Sequence, residues 1–286
     1  MSNSSINSIV ICHTNKDPGA LRIESEAQNF KIKTHRYNYE QLSTFDANQL
    51  YSLPITSNTL LICRSPLNPY RAEFNYSSIV NILLESYKPA YLLDQKLISQ
   101  YSYHQYGDKR FQSYLFDKFK LPHANLISFN SQEPLKLPYP LIGKKRISAR
   151  GIGHVIIKST EEYLQFIKTH TSEEFIIEKF HHLTADYRVL MIQDEIITTV
   201  ERSVNIKSDN TIKVQVKNEV TLPFDIQKQC LQLQKNLQYD FCGVDIGLTQ
   251  EDKYIFIEYN ISPQFTGSER ETKNNIAQTL LSTFIK

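Results

Sequence analysis

The sequence predicts an α/β protein, and three observations carry that prediction. Short apolar runs at Ile9, Val10, Ile11 and Cys12, at Leu60, Leu61, Ile62 and Cys63, and at Tyr91, Leu92 and Leu93 suit strands buried on both faces. Between the second and third runs, Ile79, Ile82, Leu83 and Ser86 recur at helical spacing. The composition, 41% hydrophobic and 22% charged over 286 residues with a mean hydropathy of -0.38, is that of a globular protein. It excludes collagen-like, wholly disordered and transmembrane classes, and no membrane partner is expected. With 32 Lys and Arg against 30 Asp and Glu, the net charge of +2 is too small to make nucleic acid a default partner.

Four cysteines, Cys12, Cys63, Cys230 and Cys242, lie without C-x-x-C spacing, and the opening MSNSSINSIVICH carries no basic, apolar, small-residue leader. The expectation is a cytoplasmic protein whose thiols are buried filler in or beside strands. The texture changes at Ser99, Gln100, Tyr101, Ser102 and Tyr103, which places a domain boundary near residue 100. A helix carrying Phe111, Tyr114, Leu115 and Phe119 stops before Leu121 and Pro122, because proline disfavours continuation. From Tyr139 the pattern reads strand, glycine-containing loop, strand, a helix over 161–168, and a strand at Phe175, Ile176 and Ile177. Strands follow over 187–192 and 196–200, and the polar residues 205–217 are expected to form a surface loop. Ile226, Cys230, Leu233 and Leu237 mark one face of a helix. A hairpin through 243–246 and 254–258 comes next, and Ile276, Leu280 and Leu281 mark a closing helix with Ser268 as its N-cap.

The hairpin carries the most chemistry. Strand side chains two apart share a face, so Glu258 and Asn260 project together. A hairpin symmetric about Glu251 and Asp252 sets Asp245 opposite Glu258, and cross-strand neighbours on one face lie about 4.5–5.5 Å apart at Cβ. Like charges that close repel unless a cation sits between them, and two carboxylates with an amide oxygen suit Mg²⁺. A solvent-facing acidic pair on an edge hairpin is the competing reading. Upstream, Pro140, Leu141, Ile142, Gly143 and Lys144 deliver a lysine at a strand end before Arg150, Gly151, Ile152 and Gly153. Glycines let a backbone approach phosphate oxygens, Lys144 can neutralise them, and residues 150–154 are expected to close as a lid. A lysine-rich surface turn would look the same. Third, Phe175, Ile176, Ile177, Glu178, Lys179 and Phe180 run toward Asp186, Tyr187, Arg188 and Val189, where a strand leaving a cleft can offer its backbone to an adenine edge and a carboxylate can accept ribose hydroxyls. An ordinary core strand with a solvated exit fits equally. His181 and His182 point apart on an extended chain with no ligand at zinc spacing. His13 and Arg64 follow N-terminal strands, at the carboxyl edge where open α/β sheets hold ligands.

Taken in order, the lysine before Gly-x-Gly, then I-I-E-K-F, D-Y-R-V, G-V-D-I and I-E-Y-N-I-S-P, resemble the ATP-grasp superfamily, and most its RimK-like carboxylate-amine ligase branch, over about residues 90–275. The resemblance implies an N-terminal α/β pre-ATP-grasp substrate domain over 1–100. Two α+β subdomains that clasp ATP would follow, a central one over 101–177 with the glycine loop and a C-terminal one over 178–286 with the metal site. It implies that Lys109 and Lys144 are nucleotide lysines, joined by Arg150, Gly151 and Gly153. Glu178, Lys179 and His181 would form the adenine hinge, and Asp186 the ribose-side acid. Asp245, Glu258 and Asn260 would be ligands of Mg²⁺, with two ions expected and Mn²⁺ an alternative, and Arg188 and Arg202 would attend the phosphates and the reacting carboxylate. Two departures stand out: residues 203–210 lack the Arg-x-Asn element usual after the Glu-Arg pair, and Gln264 replaces the glycine of N-x-S-P-G.

The implied activity is ATP-dependent ligation of a carboxylate to an amine through an acylphosphate, with ADP and phosphate released. The acceptor is an amino acid, a peptide or a protein tail, and a homo-oligomer is left open. The alternatives are an ATP-grasp kinase acting on a small molecule, a regulatory module that binds ATP without turnover, and a structural partner protein.

Overall fold

In a computed structural model, which describes residues 6–66, 76–87, 89, 91–94, 107–148, 153–206 and 212–285, the N-terminal apolar runs become the centre of a parallel sheet. Strands β1 (Ser8–His13), β2 (Lys33–Asn38), β3 (Thr59–Cys63) and β4 (Tyr91–Leu92) take the order β2-β1-β3-β4. Alternation explains why β1 and β3 read as unbroken apolar segments. Ile9, Ile11, Leu60 and Ile62 face helix α1 (Pro18–Asn29) and the C-terminal helix, while Val10, Cys12, Leu61 and Cys63 face the opposite side. That second side is covered by α2 (Tyr39–Leu42), α3 (Ala47–Tyr51) and α4 (Ser77–Ser86). The polar edge strand β2 is not foreseen from the sequence, because one side of it lacks a strand neighbour and its residues alternate with charges. All four cysteines are buried and free, as expected.

Helix α5 (Lys109–Lys118) ends where expected. A second, antiparallel sheet of β5 (Leu126–Ile127), β6 (Leu141–Lys145), β7 (Val155–Ile157) and β8 (Phe175–Lys179) has the order β5-β8-β6-β7. Helix α6 (Thr160–Thr169) covers it through Tyr163 and Phe166. The third sheet holds β9 (Leu183–Ile192), β10 (Glu195–Ile206), β11 (Ile212–Glu219), β12 (Phe241–Thr249) and β13 (Tyr254–Asn260) in the order β11-β10-β9-β12-β13. One face of it packs Val189, Met191, Val244 and Phe256 against Leu115 and Phe116 of α5 and against α7 (Phe224–Leu237). The other face sends Leu190, Ile192 and Phe241 into the N-terminal core with helices α8 (Thr266–Thr272) and α9 (Ile276–Phe284) close by.

Two expectations are corrected. The polar residues 205–217 are not simply a loop: their described parts are arms of an antiparallel ladder between β10 and β11, polar because β11 is a sheet edge. The closing segment is two helices, with Ser268 buried inside α8 and Asn275 capping α9 by accepting the Gln278 N–H at 2.9 Å. The boundary signal at 99–103 lies outside the described residues. No helix among the described residues is long and apolar enough to cross a membrane.

Asp17 starts α1 by accepting the N–H groups of Gly19 at 2.9 Å and Ala20 at 3.3 Å, with Pro18 as the first helical residue. Burial works to raise its pKa, but Arg64, bonded at 2.9 Å, and Gln264 hold it down at about 2. The unfolded chain titrates near 3.8, so this stabilisation is complete above that pH and is lost as the pH falls toward 2. Asp17→Asn keeps a capping side chain without the charge. Between pH 5 and pH 2, urea titrations should show the parent losing about 2 kcal/mol more than the variant; equal losses would remove Asp17 from the acid limb.

Candidate active site

A row of charges crosses four strands of the third sheet. On β9, Asp186 and Arg188 are two apart and share a face. Register places Arg202 of β10 opposite Asp186, Asp245 of β12 opposite Arg188, and Glu258 of β13 opposite Asp245. Arg188 grips Asp245 with both prongs, Nε to Oδ1 and Nη2 to Oδ2, each at 2.7 Å. Arg202 reaches the same Oδ2 at 3.1 Å and also pairs with Asp186. Burial would raise the Asp245 pKa, yet the two guanidinium groups hold it below the ordinary carboxylate value. Asp186 goes the other way: burial pushes it up to about 6, with Arg202 opposing the rise and Asp245 adding to it.

The expected pairing of Asp245 with Glu258 is present, by a different route. Leu248 pairs with Tyr254 and Ile246 with Phe256, so the ladder is centred one half-step earlier than the sequence predicts. A β-bulge between Asp245 and Ile246 takes up Ile257 and restores the Asp245 and Glu258 register. The Glu258 side chain has no hydrogen bond or ion pair among the described residues; its electrostatic neighbours are Lys109 and Arg188. The Nδ2 of Asn260 is buried and unpartnered. Among the described residues, no group of three or more His, Cys, Asp or Glu side chains gathers as a metal cluster. A cation at this hairpin would therefore rest on two carboxylates and an amide.

The second sheet supplies cations from the other side. Lys144 on β6 and Glu178 on β8 form an ion pair, with Ile142 of β6 opposite Glu178. Lys109, at the first turn of α5, is buried; its Nζ donates to the Ser148 carbonyl at 2.9 Å and to its Oγ at 3.2 Å. Burial pushes the Lys109 pKa down against the pull of Glu258, and Lys144 pushes the same way as burial. His154 lies in this cluster as well. Burial, then Lys144 and Lys109, drive its pKa down to about 3, so its ring is neutral, and its Nε2 has no partner. Gly153 turns the chain into it at a φ of 76°, where an added Cβ would stand 2.9 Å from the Lys145 side chain.

Asp186, Arg188, Arg202, Asp245 and Glu258 are thus one row, and Lys109, Lys144 and Glu178 one cluster. Lys109 is the electrostatic link between row and cluster. Lys179 is exposed and His181 half-buried at the end of β8. Arg150 and Gly151, with most of the expected lid, lie outside the described residues. Three contributors escape sequence reasoning. Arg146 pairs with Asp108 and its carbonyl accepts the Lys109 N–H at 2.9 Å. Gln112 clasps the Tyr259 main chain, donating to its carbonyl at 3.1 Å and accepting its N–H at 3.2 Å. The signal for Asp108 was present as an N-cap before a helix, but its ion pair to Arg146 needs the tertiary fold.

Residues 117–284 match the family model of a RimK-like ATP-grasp domain. No curated protein matches the sequence. Among solved structures, the chain is similar to the ATP-grasp ligase PsnB complexed with a minimal precursor, with a TM-score of 0.72 and 15% identity over 98% of this chain and 99% of that one. It is also similar to a Chryseobacterium gregarium RiPP-associated ATP-grasp ligase in complex with ADP and a leader and core peptide, with a TM-score of 0.67 and 14% identity over 97% of this chain and 96% of that one. D-alanine–D-alanine ligase from Bacillus anthracis gives a TM-score of 0.68 and 13% identity over 98% and 96%. At these identities the likeness is one of fold.

Proposed function

Because the chain belongs to the RimK-like ATP-grasp family, we propose that it ligates a carboxylate to an amine at the expense of ATP. In this reading residues 1–100 are the substrate domain, 101–177 carry the glycine loop and 178–286 carry the metal site. The observation that most supports it is Glu258: a carboxylate without a side-chain partner, opposite a second carboxylate, with Lys109 and Arg188 as its cationic neighbours. Surface acids on an edge hairpin do not need a buried lysine within their electrostatic reach.

The donor set fits Mg²⁺. Glu258 is unengaged, Asp245 keeps lone pairs beside its arginine bonds, and the Asn260 amide, whose Nδ2 is buried without a partner, carries an oxygen of the type hard cations prefer. When bound there, Mg²⁺ would neutralise charge on the transferring phosphoryl oxygens. Lys109 and Lys144 hold the triphosphate, and phosphate competes with Glu178 for the Lys144 ammonium. Glu178, Lys179 and His181 line the adenine edge, and Asp186 faces the ribose while it anchors Arg202. Arg188 and Arg202 orient the attacking carboxylate toward the γ-phosphorus, so the acylphosphate forms where an amine can reach its carbonyl. PsnB and the Chryseobacterium gregarium ligase are each bound to peptides, which puts peptides beside amino acids and protein tails as acceptors to test.

The deciding experiment is ADP release against a panel of amino acids and peptides, with mass spectrometry of the products. An amide product supports ligation. A phosphorylated product without an amide would turn the reading toward a kinase, and absence of ADP release toward a binding module. Lys144→Ala should weaken Mg·ADP binding about 10- to 100-fold, since a charge-assisted contact in a partly dry cleft is worth about 1.5–3 kcal/mol. Calorimetry that finds unchanged affinity would take Lys144 out of the site.

A further inference from the structure

His154 stands among the lysines of the second sheet, and the ATP reading leaves it without a task. It follows Gly153 and precedes β7, which runs antiparallel to β6 with Val155 opposite Gly143. Continued by one step, that register brings His154 to Lys144. Of the charges that act on its ring, Lys144 is the strongest and Lys109 the next. Gly153 sets the approach, because its φ of 76° suits glycine and a Cβ there would crowd the Lys145 side chain at 2.9 Å.

The charges facing the ring are of one sign. Lys144 acts from β6, Lys109 acts from the first turn of α5, and Lys145 lies against Gly153. The acids nearby are engaged with the lysines instead: Glu178 of β8 is paired with Lys144, and Glu258 of β13 pulls on Lys109. Among the described residues no carboxylate acts on His154 itself. Burial and the two ammonium groups therefore keep the ring neutral, at a pKa of about 3 against an ordinary 6.5. Its Nε2 is buried with no hydrogen-bond partner. A titratable ring with an unspent nitrogen is thus wedged into a cluster of cations.

Phosphate charge reverses this field. In the ATP site the phosphates lie against Lys109 and Lys144 and compete with Glu178 for the Lys144 ammonium. Both changes act on His154 in one direction. The phosphate charge offsets the two ammonium groups, and Glu178, once released, is a further negative charge close by. Burial still opposes ionisation, so the ring climbs back toward its ordinary range. The effect acts through space and needs no contact between the ring and a phosphate oxygen.

We propose that nucleotide binding at Lys109 and Lys144 is coupled to protonation of His154, which is a third cation of the phosphate site when nucleotide is bound and a neutral ring when it is not. This rests on the ATP reading and adds a regulation to it. The proton comes from solvent on binding and returns to solvent on release. The sign follows from linkage: a group that binds its proton more tightly in the complex strengthens binding at pH values below its bound-state pKa, and the gain is lost as the pH rises through that value. Acidification should therefore tighten nucleotide binding, which a purely structural histidine would not do.

The test is ¹H–¹³C NMR of the histidine rings in the full chain, titrated between about pH 5 and pH 8 with and without ADP and Mg²⁺, with the His154 signal assigned by its loss in His154→Gln. Without nucleotide the ring should stay neutral throughout, and with ADP it should titrate with a midpoint of about 6 or higher. In calorimetry, the ADP affinity of the parent should then rise from about pH 7.5 to about pH 5.5 at least threefold more than that of His154→Gln. If His154→Gln melts early, His154→Phe replaces it. A ring that titrates in the ordinary range without nucleotide, a ring unmoved by bound ADP, or equal pH dependence in parent and variant would overturn the coupling and leave the nucleotide site standing. No ADP binding at either pH would overturn the nucleotide site, and the coupling with it.

Discussion

Glu258→Gln is expected to lower Mg²⁺-dependent ADP production roughly 10³-fold or more, while the protein unfolds within about 0.5 kcal/mol of the parent. From the sequence alone, two facing carboxylates predict repulsion, and the neutral variant should then be more stable. The structure revises that half of the expectation. Asp245 is already matched by Arg188 and Arg202, and the neighbours that feel Glu258 most are cations. Little repulsion remains to relieve, and the variant gives up only weak attractions. The reaction, by contrast, loses the one uncommitted carboxylate in the row. Steady-state rates and urea titrations on one preparation check both halves, and a variant with near-normal, Mg²⁺-dependent ADP production would sink the metal assignment.

Asp245→Ala should behave differently. Its carboxylate carries three guanidinium contacts at 11% side-chain exposure, so removal strands the buried Arg202 and the mostly buried Arg188, with Asp186 and Glu258 as the remaining acids near them. Breaking a buried pair from one side costs about 3–5 kcal/mol, much of it the penalty of the stranded charge. Turnover should vanish too, but here with a large fall in the unfolding midpoint. Arg188→Met in the same chain should return part of the stability without returning activity, because it removes the stranded partner. A single variant as stable as the parent would show that the Asp245 contacts carry no net stabilisation. Together the two substitutions separate a carboxylate kept for chemistry from one that also holds the sheet together.

Much of this architecture was legible in the sequence, and for physical reasons. β1 and β3 announced themselves because a parallel strand covered on both faces has no polar alternation. Glu258 and Asp245 could be paired because the period of a strand is two and a hairpin fixes register. What escaped depended on long-range partners. The bulge at Ile257 is a one-residue adjustment that no propensity marks, and the pairing came out right because the bulge offset an equal error in the turn. β2 and the arms of β10 and β11 were hidden by edge positions, where polar residues belong in strands as much as in loops. The resemblance placed Arg202 with the phosphates and Asp186 with the ribose, and their direct ion pair follows only from the β9 and β10 register.

The clasp between Gln112 and the Tyr259 main chain has a kinematic consequence. Two bonds to the main chain of one residue, backed by Phe116 edge-on to the Tyr259 ring, tie α5 to β13. Lys109 stands at the first turn of α5, yet its backbone and its ammonium are both bonded to the other sheet, at Arg146 and Ser148. The two sheets are therefore not free to translate past each other. An opening of the cleft that kept these bonds would turn about an axis near Lys109 and carry Lys144 with the second sheet.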